Sequence, residues 1–328
     1  MGSFILQRAL QSVAVLLITS ILSFALIYAV PGDPVNAIYG PKIQELRPEE
    51  RERIRANLGL NQPIPVQYTW WLINITRGDM GISYTSGRPV ATIIRERLPA
   101  TFLLAGASSA IIFFLAIFLG VLTGLKRNSG VDHATTAISL TLASTPNFWL
   151  ALMLILIFGV WLKVLPTAGM STIGQQSSVA DVLRHLILPA CVLSFGHIGY
   201  YIRFVRAGVW EQLQLDYVLA LRARGIKEST ILYRHVLKNS LLPFVNYLGA
   251  TIPVMLSGTV VVETVFAWPG LGQLSVAAAT SRDYSLLMGT VMLAGVLVIA
   301  GNFLADLAGM LLDPRTAAGQ LGRGAAKT

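Results

Sequence analysis

The 328-residue chain carries 25 Lys and Arg against 16 Asp and Glu, a net charge of +9, yet only 12% of its residues are charged while 54% are hydrophobic. A soluble domain holds about twice that charged share, and here the apolar residues fall in blocks of about 20, the length that crosses a ~30 Å hydrocarbon core. The composition argues against a soluble protein. It also argues against a nucleic-acid partner, because the basic residues cluster beside the ends of apolar blocks, where the positive-inside rule and anionic lipid account for them.

In chain order the apolar blocks run over approximately 9–30, 100–125, 134–162, 186–206, 243–265 and 286–310. They predict an all-α polytopic membrane protein with six transmembrane helices. The first block, from about Leu10 to Val30, follows Arg8 and has the outline of a signal peptide. It is longer than the usual core of about 7–15 residues and no small-x-small cleavage site follows, so 1–30 reads as a retained helix. Pro31, Gly32, Asp33 and Pro34 stop it.

The polar stretch 31–98 contains Tyr68, Trp70 and Trp71 and reads as a small extracytoplasmic domain between the first two helices. Its charged run Arg47 to Leu58 suits a solvated helix face. Residues 99–315 then form a five-helix core, with 316–328 as a tail.

Lys and Arg near the membrane set the orientation. With the N-terminus inside, the inner segments carry Arg8; Lys126 and Arg127; Arg203, Arg206, Arg222, Arg224, Lys227, Arg234 and Lys238; and Arg315, Arg323 and Lys327. The short outer loops carry Lys163, Arg184 and Arg282. Both termini are expected in the cytoplasm.

Prolines enter the blocks at Pro146, Pro189 and Pro253, where neighbouring protein or water must satisfy the freed carbonyls. Ser139, Thr141, Ser144, Thr145, Asn147, Gly196, Gly199, Ser257, Gly258 and Thr259 are explained first by close helix packing, and otherwise by a polar path. Gly120 and Gly124 have small-xxx-small spacing, a common coincidence. Cys191, the only cysteine, reads as a small buried hydrophobe.

The stretch Asp216 to Pro243, DYVLALRARGIKESTILYRHVLKNSLLP, is cytoplasmic by the charge pattern. It predicts two short helices with a break. Tyr217 to Arg224 is rich in helix formers, Gly225 suits the left-handed position that closes a helix, and Arg222 and Arg224 in the last turn complement its dipole. Ser229 or Thr230 is the expected cap of the second helix, whose residues Ile231, Leu232, Val236, Leu237 and Leu241 recur at helical spacing until Pro243. An interfacial amphipathic helix would show a cleaner apolar face. Two turns mixing Ala, Leu and Arg suit docking into a cleft of another protein better.

These residues resemble the EAA loop of binding-protein-dependent ABC import permeases. Leu219, Ala220 and Leu221 stand at the Glu-Ala-Ala positions, followed by Gly225 and Leu242-Pro243. Leu219 and Leu221 depart from the general pattern, while Asp216, Tyr217, Val218, Arg222, Ala223, Arg224 and Gly225, with His235, Asn239 and Pro243, resemble the core of the peptide subfamily. Resemblance extends to Pro31-Gly32-Asp33-Pro34, Leu58-Gly59-Leu60 with Pro63 and Pro65, Gly78-Asp79 with Gly81 and Ser83, Glu263-Thr264-Val265-Phe266, Trp268-Pro269-Gly270-Leu271-Gly272, and Asp306 with Leu312-Asp313-Pro314-Arg315. The chain is similar to the first, B-type permease of dipeptide, oligopeptide and nickel importers.

The resemblance implies the type I ABC importer fold and a heterodimer with a second, C-type permease. It further implies two partner ATPases that bind ATP and Mg, an extracytoplasmic substrate-binding protein, and a short peptide as substrate. The helix near 217–224, within the coupling segment 216–242, would sit in a groove of one ATPase; nickel or another small solute is the alternative cargo.

No G-x-x-x-x-G-K-[ST] pattern occurs, so energy is expected from a partner, and no cofactor or metal site is expected in this chain. His133, His185, His197 and His235 are scattered without metal-ligand spacing, and His235 is expected to support the cytoplasmic loop by hydrogen bonding. Glu263 and Asp306, acids in or near membrane helices, are read as structural pairs before gate residues. An intramembrane hydrolase would need a Ser–His–Asp set or a Gly-x-Ser-x-Gly elbow, and neither stands out. A membrane scaffold is the remaining rival.

Overall fold

A computed structural model describes residues 2–29, 47–57, 59, 61–174 and 178–312. The Pro31–Pro34 stop, Leu58, Leu60 and the segment from Asp313 onward lie outside the described residues, as do the side chains of Leu242, Pro253, Ser257 and Asp306. Among the described residues extended pairing is limited to one antiparallel bridge, Ile82 with Pro89.

Three helical stretches are long and apolar enough to cross a membrane among the described residues: Val90–Leu125, Val179–Leu213 and Tyr284–Ala305. The pair Gly130–Ser144 and Asn147–Trp161 passes together, and Leu10–Leu26 is a shorter apolar stretch. That pair corrects the reading of 134–162 as one helix: its halves meet at a 106° bend. The cause is local. The ring of Pro146 clashes with a helical conformation at the residue before it, and Thr145 is accordingly extended at φ −84°, ψ 127°.

The chain divides into two compact units, Met1–Thr101 with Pro269–Ile299, and Phe102–Trp268 with Ala300–Thr328. The first contains α1 (Gly2–Ala29), α2 (Pro48–Asn57), α3 (Ile64–Thr76) and the start of α4 (Val90–Leu125). Phe24 of α1 meets Tyr68 of α3 edge-on at 5.4 Å, and Ser20 Oγ lies 2.8 Å from the Tyr68 hydroxyl. The core of this unit joins Val90, Ile93 and Ile94 of α4 with Leu271, Leu274, Ala278 and Leu286.

Asp283 fastens the same unit. Fully buried, it accepts hydrogen bonds through Oδ2 from the hydroxyls of Ser83 (2.6 Å) and Thr85 (2.9 Å) and the Thr85 N–H (3.1 Å). Its Oδ1 accepts from the Leu286 N–H at 3.1 Å. Burial opposes the charge, but these donors outweigh it and hold the carboxyl below its ordinary range.

The second unit contains α5 (Gly130–Ser144), α6 (Asn147–Leu154) with its π-helical continuation Ile155–Trp161, and α7 (Val179–Leu213). After α7 come α8 (Asp216–Ala223), α9 (Glu228–Thr230) and α10 (Leu237–Val265). The two remaining helices are α11 (Leu271–Thr280) in the first unit and α12 (Tyr284–Leu312), which begins there.

Within the second unit α7 is the central helix, and small residues set its packing. A Cβ on Gly120 of α4 would lie 2.6 Å from Val205 Cβ, and one on Gly124 would lie 3.0 Å from Val209 Cβ. The Gly120/Gly124 pair is therefore a true helix–helix seam. Gly199 faces the Ser139 carbonyl of α5 and Gly196 the Asn147 side chain of α6 with equally little room. Ser194 Oγ donates to the Ser108 carbonyl of α4 at 3.1 Å.

Candidate functional site

α7 ends at Leu213, and Leu215, extended at φ −76°, ψ 146°, starts α8 two residues later. The helix is eight residues long, too short to persist alone in water. Three features fix it. Val218 is fully buried, the Tyr217 hydroxyl donates to Gln212 Oε1 at 3.0 Å, and the C-terminus is closed by backbone bonds. Gly225 N–H donates to Arg222 O at 2.9 Å and Ile226 N–H to Leu221 O at 3.2 Å, with Gly225 left-handed at φ +71°. That is the Schellman arrangement, and Gly225 stands where its left-handed residue must. The expectation for Gly225 is met.

The helix turns most of its other side chains outward. Asp216, Ala220, Arg222, Ala223 and Arg224 are exposed, Tyr217 and Leu221 are half-buried, and Leu219 is 67% exposed. An apolar side chain at that exposure beside two cations suits a protein surface better than open water.

Ser229 and Thr230 do not cap the next helix. Lys227 precedes its first residue, Glu228, and no side chain caps it. Glu228 is held instead by Arg222 across the turn, with Nε–Oε1 at 2.6 Å and Nη2–Oε2 at 3.1 Å. The hydrogen bonds, then the guanidinium charge, hold Glu228 below the usual carboxylate range and raise Arg222. Each charge also complements a helix end, the cation at the C-terminus of α8 and the acid at the start of α9.

The second helix does not stop at Pro243. It runs from Glu228 through a π-helical stretch, Ile231–Val236, directly into α10, with Pro243 inside it. Buried Ile231 and Val236 seat the π stretch, while Tyr233 is 71% exposed. His235 is half-buried and Asn239 exposed, and neither side chain makes a hydrogen bond to another described residue. A groove of about 570 Å³ opens beside the Arg222–Glu228 pair, walled by Leu125, Trp210, Leu213, Leu232 and Tyr233. At its edge the Arg127 guanidinium sits over the Trp210 ring at 4.5 Å.

Glu263 belongs elsewhere. It lies roughly 36 Å beyond Asn239 along α10, at about 1.5 Å per residue, and is fully buried in the last turn. Its carbonyl accepts the Trp268 N–H at 2.8 Å, and Ala267 between them is left-handed at φ 48°. Buried Phe266 and Trp268 flank that strained residue.

Residue pattern alone missed three pairings: Arg222 with Glu228, Asp283 with Ser83 and Thr85, and Arg206 with Asp132. Only the last had a local signal, Ser129-x-x-Asp132, the signature of a capped helix start. Ser129 indeed accepts the Asp132 N–H at 3.3 Å.

Residues 116–318 match the family model described as "Binding-protein-dependent transport system inner membrane component", and residues 1–105 match its N-terminal companion model. The oligopeptide transport system permease protein AppB of Bacillus subtilis is 39% identical over 316 residues, covering 96% of this chain and 99% of that one. A Brucella suis protein named as a peptide permease is 38% identical over 313 residues, 95% of this chain and 98% of the other. The metal-staphylopine import system permease protein CntB of Staphylococcus aureus is 36% identical over 316 residues, 96% and 98% of the two chains. Among solved structures, an inward-facing MetNI methionine ABC transporter chain superposes with a TM-score of 0.54 at 19% identity, covering 67% of this chain and 96% of that chain, a likeness of fold. The chain belongs to the binding-protein-dependent transport system inner membrane components, the multi-pass permeases of ABC importers.

Proposed function

We propose that this chain forms half of the translocation path of an ATP-driven importer of short peptides, and that α8 is the element through which ATP hydrolysis is felt. The observation that carries the reading is the construction of α8. It is capped at Gly225, pinned at Val218 and clasped by Arg222–Glu228, so it moves as one body, yet it presents Leu219, Ala220, Ala223 and Arg224 to the outside. It also lies in the chain between α7 and the helix that becomes α10. A push on α8 therefore reaches two long helices of one unit, which is what biasing a two-state channel requires.

In this reading six helices cross the membrane, both termini are cytoplasmic, and 31–98 lies outside. A second permease completes the path, two ATPases bind ATP and Mg, and an external binding protein delivers substrate. The peptide cargo is supported by the relatives named for peptide transport. The relative named for metal-staphylopine import supports a metal chelate as the second cargo class. Co-purified partners in proteoliposomes, loaded with ATP inside the compartment facing α8, test both cargoes. ATP-dependent uptake of a labelled peptide is expected; uptake of a metal chelate alone would reassign the cargo, and uptake of neither would refute the transport role.

A further inference from the structure

Two buried polar atoms on opposite partners of one ion pair lack a hydrogen-bond partner among the described residues. Asp132, in the first turn of α5, is 1% exposed, and its Oδ2 accepts from Arg206 Nη2 at 2.7 Å and from the Asn128 N–H at 2.9 Å. Its Oδ1 and the Nε of Arg206 are both enclosed and unmatched. Such atoms are uncommon in folded proteins, because desolvation is not repaid. One geometry would satisfy both at once: the side-on fork, in which Nε–H and Nη2–H each meet one carboxylate oxygen. Arg222 and Glu228 adopt that fork in this same chain. Asp132 and Arg206 stop one step short of it.

The surroundings give that step a direction. Asp132 is fixed to the start of α5 by Ser129 Oγ and by Asn128, which is left-handed at φ 60°. Arg206 rides on α7, whose last turn leads into α8. Between the two helices, Gly199 of α7 lies against the Ser139 backbone with no room for a Cβ, a smooth contact with no side-chain knob on the glycine side. Shifts of about 1–2 Å between packed helices are the ordinary currency of switching.

We propose that Asp132 and Arg206 are positioning residues for energy coupling, a latch that is end-on in this conformation and closes side-on when α7 moves with α8. The proposal rests on the reading of α8 as the ATPase contact. A latch of this kind biases the channel because the two conformations differ by one charged hydrogen bond.

Arg206→Lys separates the latch from a plain ion pair, since an ammonium keeps a single charged contact but lacks the planar fork. In the full importer in proteoliposomes, R206K is expected to carry at least about fivefold less substrate per ATP hydrolysed, the low end of ordinary coupling energies. Independently of any variant, the wild-type complex trapped with a non-hydrolysable nucleotide should bring Nε within about 3.2 Å of Oδ1. An end-on pair in the trapped complex overturns the proposal and assigns the unmatched atoms to a bridging water, as does wild-type coupling in R206K. Gly225→Val serves as the control for the underlying reading. If it uncouples while R206K does not, only the latch fails; if neither uncouples, the α8 assignment fails as well.

Discussion

Arg222 and Glu228 form a two-point clasp across the Gly225 turn, Nε to Oε1 and Nη2 to Oε2, joining the end of one short helix to the start of the next. Both side chains are largely exposed, so the pair adds little to global stability. What it supplies is angle: it fixes the direction in which α8 leaves the π-helical stretch. Arg222→Glu should place two acids across the turn and lower substrate carried per ATP at least about fivefold. The double exchange Arg222→Glu with Glu228→Arg should recover most of that loss in the same proteoliposome assay. Failure of the exchange to recover coupling would move Arg222 from the clasp to a direct contact with the ATPase.

Gly225 is left-handed, and a Cβ built there meets nothing within 4 Å. Any substitution effect is therefore backbone strain and not crowding. Left-handed backbone costs an ordinary L-residue about 1–2 kcal/mol, less for Asn and more for a β-branched side chain. Gly225→Asn should retain coupled transport, while Gly225→Val should hydrolyse ATP with little uptake. Equal behaviour of the two variants would contradict the helix-closing role.

The seam of Gly120 and Gly124 against Val205 and Val209 predicts a position-specific effect of one methyl group. Gly120→Ala should destabilise the second unit by about 1–3 kcal/mol, the usual cost of overpacking. Gly106, on the same helix, has open space around its Cβ position, so Gly106→Ala should be neutral or stabilising by about 0.5–1 kcal/mol. Detergent-denaturation midpoints of the purified protein compare the two directly.

Asp283 predicts an acid-resistant clamp. Its folded pKa lies below the unfolded one, so its contribution is complete above the unfolded pKa, declines as pH falls between the two values and is gone below the folded one. The folded carboxylate itself stays ionised down to the lower value. The segment around Ser83 and Thr85 should thus remain protected from limited proteolysis at a pH that protonates ordinary carboxylates. Asp283→Ala would strand the buried Ser83 hydroxyl and Leu286 N–H at about 1–3 kcal/mol each and expose the segment at neutral pH. Unchanged protection in that variant would remove the clamp.

The long helices α4, α7 and α12 were legible because a membrane core demands long apolar runs, and the α8 turn because Gly225 and the flanking cations carry local rules of helix closure; α3 and α11 lie outside every apolar block. The break at Thr145–Pro146 was not placed, since prolines elsewhere in the chain sit inside continuous helices: Pro99 in α4, Pro189 in α7 and Pro243 in α10. A proline states that a donor is missing, not whether the chain bends there. Asp132 with Arg206 and Asp283 with Ser83 escaped for another reason. Their partners lie 74 and 200 residues apart, and no spacing rule reaches that far. His235 and Asn239 stand at positions that the resemblance singles out, yet neither side chain hydrogen-bonds to another described residue.

The most direct test places a single cysteine at Ala220, an exposed position on α8, after Cys191, the only native cysteine, is replaced by serine. In the assembled complex, Ala220→Cys should cross-link to a cysteine in the ATPase subunit, with a yield that changes on nucleotide binding. Labelling of that cysteine by an impermeant thiol reagent added to intact cells, or cross-linking to no nucleotide-binding subunit in any state, would contradict the account.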